Sequence, residues 1–321
     1  MNKSLATFLK IFIPLAIGIF LIWYIYTSLT PEQLNEVKTH FKNANYAFVL
    51  LSVALSVISH VFRAYRWNFM LEPLGHKAKL ANSFMAVSVA YLMNVLIPKS
   101  GEVSRAIVID KYEKIPFEKG FGTIISERVV DLLFLLAFTI TALLLRFDEL
   151  YNYLKDIIPQ KTIYIILAAI VLMPVGFFLF LKFSKSNINK KIKDFIFGLK
   201  DGVLSILTMK KKGAFILHSF IIWGLYILSF YTASLALEET SLITFGTILI
   251  TFVVGSFTFA FTNSGLGTYP AAIMGILLVF GITKDVGTAF GWIVWTSNIA
   301  SIILFGVLSF IFLPIYNKGR V

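Results

Sequence analysis

The sequence predicts an all-α membrane protein that crosses the bilayer several times. Hydrophobic residues make up 58% of the 321 positions and charged residues only 14%, whereas a typical soluble domain carries about 25% charged residues. The mean hydropathy is +0.82, and long apolar runs recur along the chain. Because lipid offers the backbone no hydrogen-bonding partner, such runs form helices. A water-facing globule is therefore excluded.

The apolar runs define the predicted helices in chain order. They are Ile11–Leu29, Tyr46–Phe62, Leu80–Ile97, Ile124–Leu145, Thr162–Leu181, Gly213–Leu237, Leu242–Phe261, Ala271–Ile282 and Val286–Ile315. Most reach the ~20 residues that cross about 30 Å of hydrocarbon, but Ala271–Ile282 does not. The first run is longer than a signal-peptide core and no clear cleavage site follows it, so we interpret it as an uncleaved membrane helix.

The distribution of Lys and Arg predicts the topology. Residues 182–212 form a Lys-rich connector, which the positive-inside rule assigns to the cytoplasm. If every long run crosses the membrane, the connector lies outside; it lies inside if two segments are hairpins that return to the face from which they came. These are Leu80–Ile97 with the stretch after it, and Leu242–Phe261 with Ala271–Ile282. Most of the 29 basic residues then lie inside, and both termini are cytoplasmic, as expected of a multi-pass protein of the cell membrane.

This topology predicts one integral membrane domain, residues 1–321, built as an inverted repeat. The halves are residues 1–160 and 161–321, and each contains a re-entrant or broken helical hairpin. Interrupted hydrophobic segments at matching places of inverted halves point to the central site of a transporter. Both interruptions carry Ser-Gly, at Ser100–Gly101 and Ser264–Gly265. The alternative is that Pro and Gly end ordinary helices; whether each hairpin is re-entrant or fully spanning stays open.

Charged side chains beside or within the apolar runs are the first candidates for function, because charge at membrane depth is costly. Arg63 and Arg66 are three residues apart and share a helical face; the alternative is that they anchor the helix at the interface. Glu102 and Arg105 open the element that follows the first interruption; the alternative is a plain cytoplasmic loop.

A second charged group lies near the start of the run Ile124–Leu145. Glu127 and Asp131 are four residues apart, so two carboxylates share one face beside Arg128. Candidate partners for Asp131 are Arg128, Arg105 and Arg63. No nucleophile or metal-ligand set accompanies the carboxylates, so an internal ion-pair network is favoured over hydrolytic chemistry.

The second interruption is polar but uncharged. Asn263, Gly265 and Gly267 lie in it, and the two glycines allow a backbone to approach a ligand closely. The helix start after Pro270 favours an anion. The alternative is a simple break for helix packing.

Composition limits the remaining chemistry. The chain has no Cys and only four His, which excludes disulfides, thiol nucleophiles and Cys-ligated metals. We expect no cofactor, no metal and no enzymatic activity. The net charge of +12 lies largely in the Lys-rich connector, where it favours anionic headgroups over nucleic acid.

Four segments together resemble a known family: FRAYRW, IPKSGEVSRA, ISERVVDLL and NSGLGTYPAA. The chain is similar to the flippase-like domain family, also called the lysylphosphatidylglycerol synthase transmembrane region. The resemblance implies an integral membrane lipid translocator, or a relative of one, without the soluble synthase domain. The functional residues that it implies are Arg63, Arg66, Glu102, Arg105, Glu127, Arg128 and Asp131. Family members often place an acidic residue after the second glycine motif, whereas Tyr269 and Pro270 stand here.

The sequence therefore predicts a protein that moves a phospholipid or another polar-headed lipid between leaflets through a central polar cavity. The expected partners are membrane lipids with anionic headgroups, and a homo-oligomer stays open. The alternatives are a membrane scaffold or regulator of lipid metabolism and a small-solute secondary transporter. A membrane-embedded lipid-linked transferase is less favoured, because no acidic metal-binding pair is present.

Overall fold

The computed structural model describes residues 3–157, 161–162, 168, 172, 176, 179–183, 209–262 and 264–319. Most of the predicted run Thr162–Leu181 and of the Lys-rich connector lies outside the described residues, as does Asn263. The described part of the chain is helical and contains no strand. The all-α prediction is therefore confirmed, whereas the inverted repeat stays a prediction.

The first half of the chain supplies seven described α-helices and one 3-10 turn. These are α1 (Lys3–Ser28), α2 (Pro31–Asn43), α3 (Tyr46–Leu71) with its 3-10 turn (Glu72–Leu74), α4 (Leu80–Leu96), α5 (Gly101–Glu113), α6 (Phe117–Leu145) and α7 (Phe147–Ile157). After the connector follow α8 (Lys212–Ser234), α9 (Glu238–Ser241), α10 (Phe245–Phe261), α11 (Thr268–Val279) and α12 (Lys284–Tyr316).

Four of the described helices are long and apolar enough to cross a membrane: α3 with its 3-10 turn, α6, α8 and α12. The end of α1 and the whole of α2 meet the same test together, but they are bent by 112° at their junction. With these spans the chain is a multi-pass membrane protein. Three of the four helices that flank the two predicted interruptions, α4, α10 and α11, are apolar but shorter, with 17, 17 and 12 residues.

The packing of α3 positions the charged residues. This helix lies along α8 and also contacts α4 and α6. Its last turns are buried on several sides, from Arg63 to Leu71. Trp67 is fully buried there and packs with apolar residues of α4, α5 and α6. Charged residues on this part of α3 must therefore find partners inside the protein.

Candidate functional site

All seven charged residues singled out from the sequence meet in one ion-pair network. Helix α3 contributes two arginines, the start of α5 contributes one acid and one arginine, and α6 contributes two acids and one arginine. The members are Arg63, Arg66, Glu102, Arg105, Glu127, Arg128 and Asp131. Three helices separated in sequence thus bring these side chains together.

Glu127 is the centre of the network. Its Oε1 lies 2.5 Å from Arg63 Nη1 and 3.2 Å from Arg66 Nη2, and its Oε2 lies 3.1 Å from Arg105 Nη2. The side chain of Glu127 is 1% exposed. One buried carboxylate therefore binds three guanidinium groups.

Asp131 binds the same two arginines of α3 one helical turn later. Its Oδ2 lies 2.6 Å from Arg63 Nη1, and its Oδ1 lies 3.1 Å from Arg66 Nη2. Arg128 Nη1 lies 3.6 Å from Oδ2. Two of the three expected partners are therefore found; Arg105 binds Glu127 instead, and Arg66 takes its place at Asp131.

Arg63 and Arg66 are not interfacial anchors. Their side chains are 3% and 0% exposed, whereas an anchoring arginine extends its guanidinium toward water. Both guanidinium groups bind carboxylates inside the helix bundle.

Uncharged side chains that the sequence did not single out complete the network. Ser219 of α8 accepts a hydrogen bond from Arg66 Nη1 at 2.6 Å. Tyr226, also of α8, accepts one from Arg63 Nε at 3.4 Å. The Arg105 guanidinium lies 3.8 Å from the ring centre of Trp67, a cation–π contact. Hydroxyl groups inside the apolar sequence of α8 were the available signal, but such groups also occur where they only bind their own helix.

The network has one arginine more than it has carboxylates. Its exposed edge is the pair formed by Arg128 and Glu102, with Arg128 Nε 3.1 Å from Glu102 Oε1 and side chains 35% and 22% exposed. Deeper in the site, Arg66 Nε and Arg105 Nε have no hydrogen-bond acceptor among the described residues. The arrangement can therefore accept a further anion, and Arg128 is its most accessible guanidinium.

The first interruption lies between α4 and α5, beside the network. The backbone N–H of Gly101 donates to Asn94 Oδ1 at 2.8 Å, so the end of α4 caps the start of α5. A Cβ on Gly101 would lie only 2.3 Å from the carbonyl oxygen of Ala90. Lys99 has φ of +61°, which is uncommon for a residue other than glycine. The segment is thus a tight turn between two packed helices.

The second interruption lies between α10 and α11. Ser264, Gly265 and Gly267 have φ of +53°, +72° and +67°. A Cβ on Gly267 would lie 2.1 Å from the carbonyl oxygen of Gly18 in α1. Gly267 is therefore required both by the backbone conformation and by the close approach of α1.

The two interruptions touch each other. Ser264 Oγ donates a hydrogen bond to the carbonyl oxygen of Asn94 at 3.3 Å, and Trp295 Nε1 of α12 donates to the carbonyl oxygen of Ser264 at 2.9 Å. No carboxylate stands directly after the glycines of the second interruption. Tyr269 is buried there instead, with its ring 5.1 Å from that of Phe259. The charged network and the second interruption are thus joined through the end of α4.

The family described as "Lysylphosphatidylglycerol synthase TM region" matches residues 11–306. The chain belongs to this family. Among the described residues of this family member, no group of three or more His, Asp or Glu side chains is arranged to hold a metal ion.

Curated relatives include two UPF0104 membrane proteins. One, from Methanocaldococcus jannaschii, is 34% identical over 30% of this chain and 30% of its own length. The other, from Pyrococcus horikoshii, is 26% identical over 60% of this chain and 65% of its own. The glycosyltransferase AglD of Haloferax volcanii is 30% identical over 31% of this chain and 16% of its own. The chain thus spans less than two thirds of each of these relatives. No solved structure matches it.

Proposed function

We propose that this chain moves lipids with a phosphate-bearing headgroup between the two leaflets of the cell membrane. The observation that carries the proposal is the buried network of four arginines and three carboxylates beside the contact between the two helix interruptions. The role is transport and not catalysis, and both termini are cytoplasmic.

The network offers hydrogen-bond donors that replace the water a headgroup loses when it enters the membrane. A polar or charged group costs several kcal/mol when it is buried without a partner. Guanidinium groups donate strong, charge-assisted hydrogen bonds to phosphate oxygens. The excess arginine attracts one negative charge. Glu127 and Asp131 offset the other guanidinium charges when no lipid is bound, which a buried cluster requires.

Arg128 is the first contact that a headgroup makes in this mechanism. Its partner Glu102 is exposed enough to exchange with solvent, so a phosphate can replace the Glu102 carboxylate without disturbing the fully buried arginines. The headgroup then lies next to Asn94 and the first interruption.

The relatives suggest two lipid classes that share this phosphate chemistry. The family description concerns a phosphatidylglycerol derivative, and one relative is named a glycosyltransferase. A phospholipid and a sugar lipid that carries phosphate are therefore the two headgroups to compare first.

Lipid exchange in liposomes tests the proposal. The purified protein is reconstituted with a fluorescent phosphatidylglycerol, and a membrane-impermeant reductant measures how fast the inner-leaflet lipid becomes accessible. We expect exchange with the parent protein and none above protein-free liposomes with Arg105→Ala or Asp131→Asn, because each change removes contacts at the centre of the network. A fluorescent phosphate-bearing sugar lipid is tested in parallel.

Arg146→Ala is the matched control. Arg146 lies at the other end of α6, where it contacts Glu149, Thr244 and Thr247. This variant is expected to exchange lipid at the parent rate. Absence of exchange by the parent with both lipids would contradict the function, and parent-rate exchange by folded Arg105→Ala and Asp131→Asn would contradict the role of the network.

A further inference from the structure

The interface between α4 and α12 carries polar side chains from one end to the other, although both helices are largely apolar. At one end Asn82 and Asn317 exchange amide hydrogen bonds of 2.9 and 2.8 Å, and both are buried. At the other end Asn94 and Trp295 both bind Ser264. We call this line the α4–α12 seam; its members are Asn82, Ser88, Tyr91, Asn94, Trp295, Ser301 and Asn317.

The middle of the seam contains a small polar crevice. His60, Ser88, Tyr91 and Ser301 line it together with two apolar residues of α12, and its volume is about 10 Å³. A cavity of roughly that size is near the minimum that holds one water molecule. The crevice therefore has room for a single water.

Two groups that line the crevice have unused hydrogen-bonding capacity. The ring of His60 packs on the ring of Tyr91 at 4.6 Å, and neither His60 ring nitrogen has a hydrogen bond within the described residues. The Tyr91 hydroxyl has one hydrogen-bond partner among the residues that the structure describes, the Tyr226 hydroxyl at 3.3 Å. Buried polar groups normally find partners, so this crevice offers hydrogen-bonding groups to a polar ligand.

The crevice leads directly to the charged network. The Tyr226 hydroxyl that contacts Tyr91 also accepts the hydrogen bond from Arg63 Nε. In the other direction, Asn94 lies one turn after Tyr91 on α4 and contacts Ser264 of the second interruption. Polar groups thus follow one another from Ser264 to Arg63.

We infer that the α4–α12 seam opens and is the route along which the headgroup passes between the charged network and the second interruption. The inference rests on the proposed function. A headgroup that moves between two apolar helices needs a polar partner at each step, and His60, Tyr91 and Ser301 supply these partners. The opposing interpretation is a permanent polar contact that only holds two membrane helices together.

A reversible cross-link between α4 and α12 tests the route. Because the chain has no Cys, the pair Ser88→Cys and Ser301→Cys can be joined selectively with a short bifunctional thiosulfonate. We expect lipid exchange before the reaction, exchange at the protein-free rate after it, and recovery when the bridge is reduced. Exchange that continues after complete cross-linking would overturn the inference.

The matched control joins two other helices by the same substitutions. Ser229 Oγ of α8 donates to the carbonyl oxygen of Ser52 in α3 at 2.7 Å. Bridging Ser52→Cys to Ser229→Cys is expected to leave lipid exchange unchanged, because these helices stay packed while the seam opens.

A second measurement decides on opening without any lipid assay. Single variants Ser88→Cys and Ser309→Cys are treated with a charged, water-soluble maleimide; Ser88 lies in the seam and is 4% exposed, and Ser309 of α12 is 3% exposed. We expect reaction at Ser88→Cys and none at Ser309→Cys, because opening of the seam exposes only the first position. An unreactive Ser88→Cys would overturn the opening of the seam, whereas a reactive one in a parent that exchanges no lipid would contradict only the proposed function.

Discussion

The two helix interruptions meet in space but are built in opposite ways. The first lies beside seven charged side chains and closes with a side-chain cap from Asn94 to Gly101. The second has no charged residue between α10 and α11, and it closes through positive-φ residues and the backbone of α1 against Gly267. Charge defines the first region and close packing defines the second.

If the proposed function is taken as the basis, this difference assigns the two regions different roles. A buried ion network holds its shape only while each charge keeps a partner, so it responds strongly to a new anion. A backbone contact between glycines responds to volume and hardly to charge. We therefore expect headgroup recognition at the first interruption, and a rigid support at the second.

The largest expected effect of a point change is at the centre of the network. Glu127→Gln keeps the shape of the side chain but removes the charge that three arginines share. Breaking a buried ion pair in this way costs about 3–5 kcal/mol, so the free energy of unfolding in detergent should fall by that amount or the variant should fail to fold. Glu149→Gln is the control, because Glu149 is 46% exposed and, among the described residues, forms an ion pair with Arg146 alone. Equal stability of Glu127→Gln and Glu149→Gln would contradict the central role of Glu127.

A smaller effect is expected from added volume at the second interruption. Gly267→Ala places a Cβ against the Gly18 carbonyl and strains the backbone, and overpacking of this kind costs about 1–3 kcal/mol. Thermal unfolding in detergent measures it. Gly275→Ala is the control: it lies in α11 with open space around its Cβ, so it should be neutral or more stable. If Gly267→Ala were as stable as Gly275→Ala, close packing would not define this region.

The smallest effect on stability is expected at the exposed edge of the network. Glu102→Gln removes a partly exposed partner of Arg128, and exposed pairs contribute only about 0–1 kcal/mol. The same change leaves Arg128 without its nearest carboxylate, so binding of detergent-solubilised phosphatidylglycerol should become tighter. Asp110→Asn, which neutralises an exposed acid on the same helix, is the control for the lipid titration. Unchanged or weaker lipid binding by Glu102→Gln would place headgroup recognition elsewhere.

Much of the candidate site was predictable from single segments of sequence. Arg63 with Arg66, and Glu127 with Asp131, share faces because helical periodicity fixes the spacing of side chains. Both interruptions were visible as Ser-Gly sequences between apolar runs. Charges beside or within apolar sequence were few enough to identify all the charged members of the network.

Other parts of the site were not predictable. Tyr226 and Ser219 lie in an apolar helix that carries no charge near them in sequence, and only the packing of α8 on α3 makes them partners of arginines. Arg105 binds Glu127, whereas Arg66 binds both Glu127 and Asp131, and this pairing depends on the relative rotation of α3, α5 and α6. Neither property is encoded by the spacing of residues in one helix.

The sequence by itself determined that this chain is a multi-pass helical membrane protein of its family, and it determined which few residues carry charge beside or within the apolar runs. Hydropathy and helical period are local properties, so one segment at a time is enough to read them. The tertiary structure alone decided that the charges form one network with an excess arginine, that the two interruptions touch, and that α4 and α12 share a polar seam. Those features depend on which helix faces which, and side-chain packing between distant segments sets that choice.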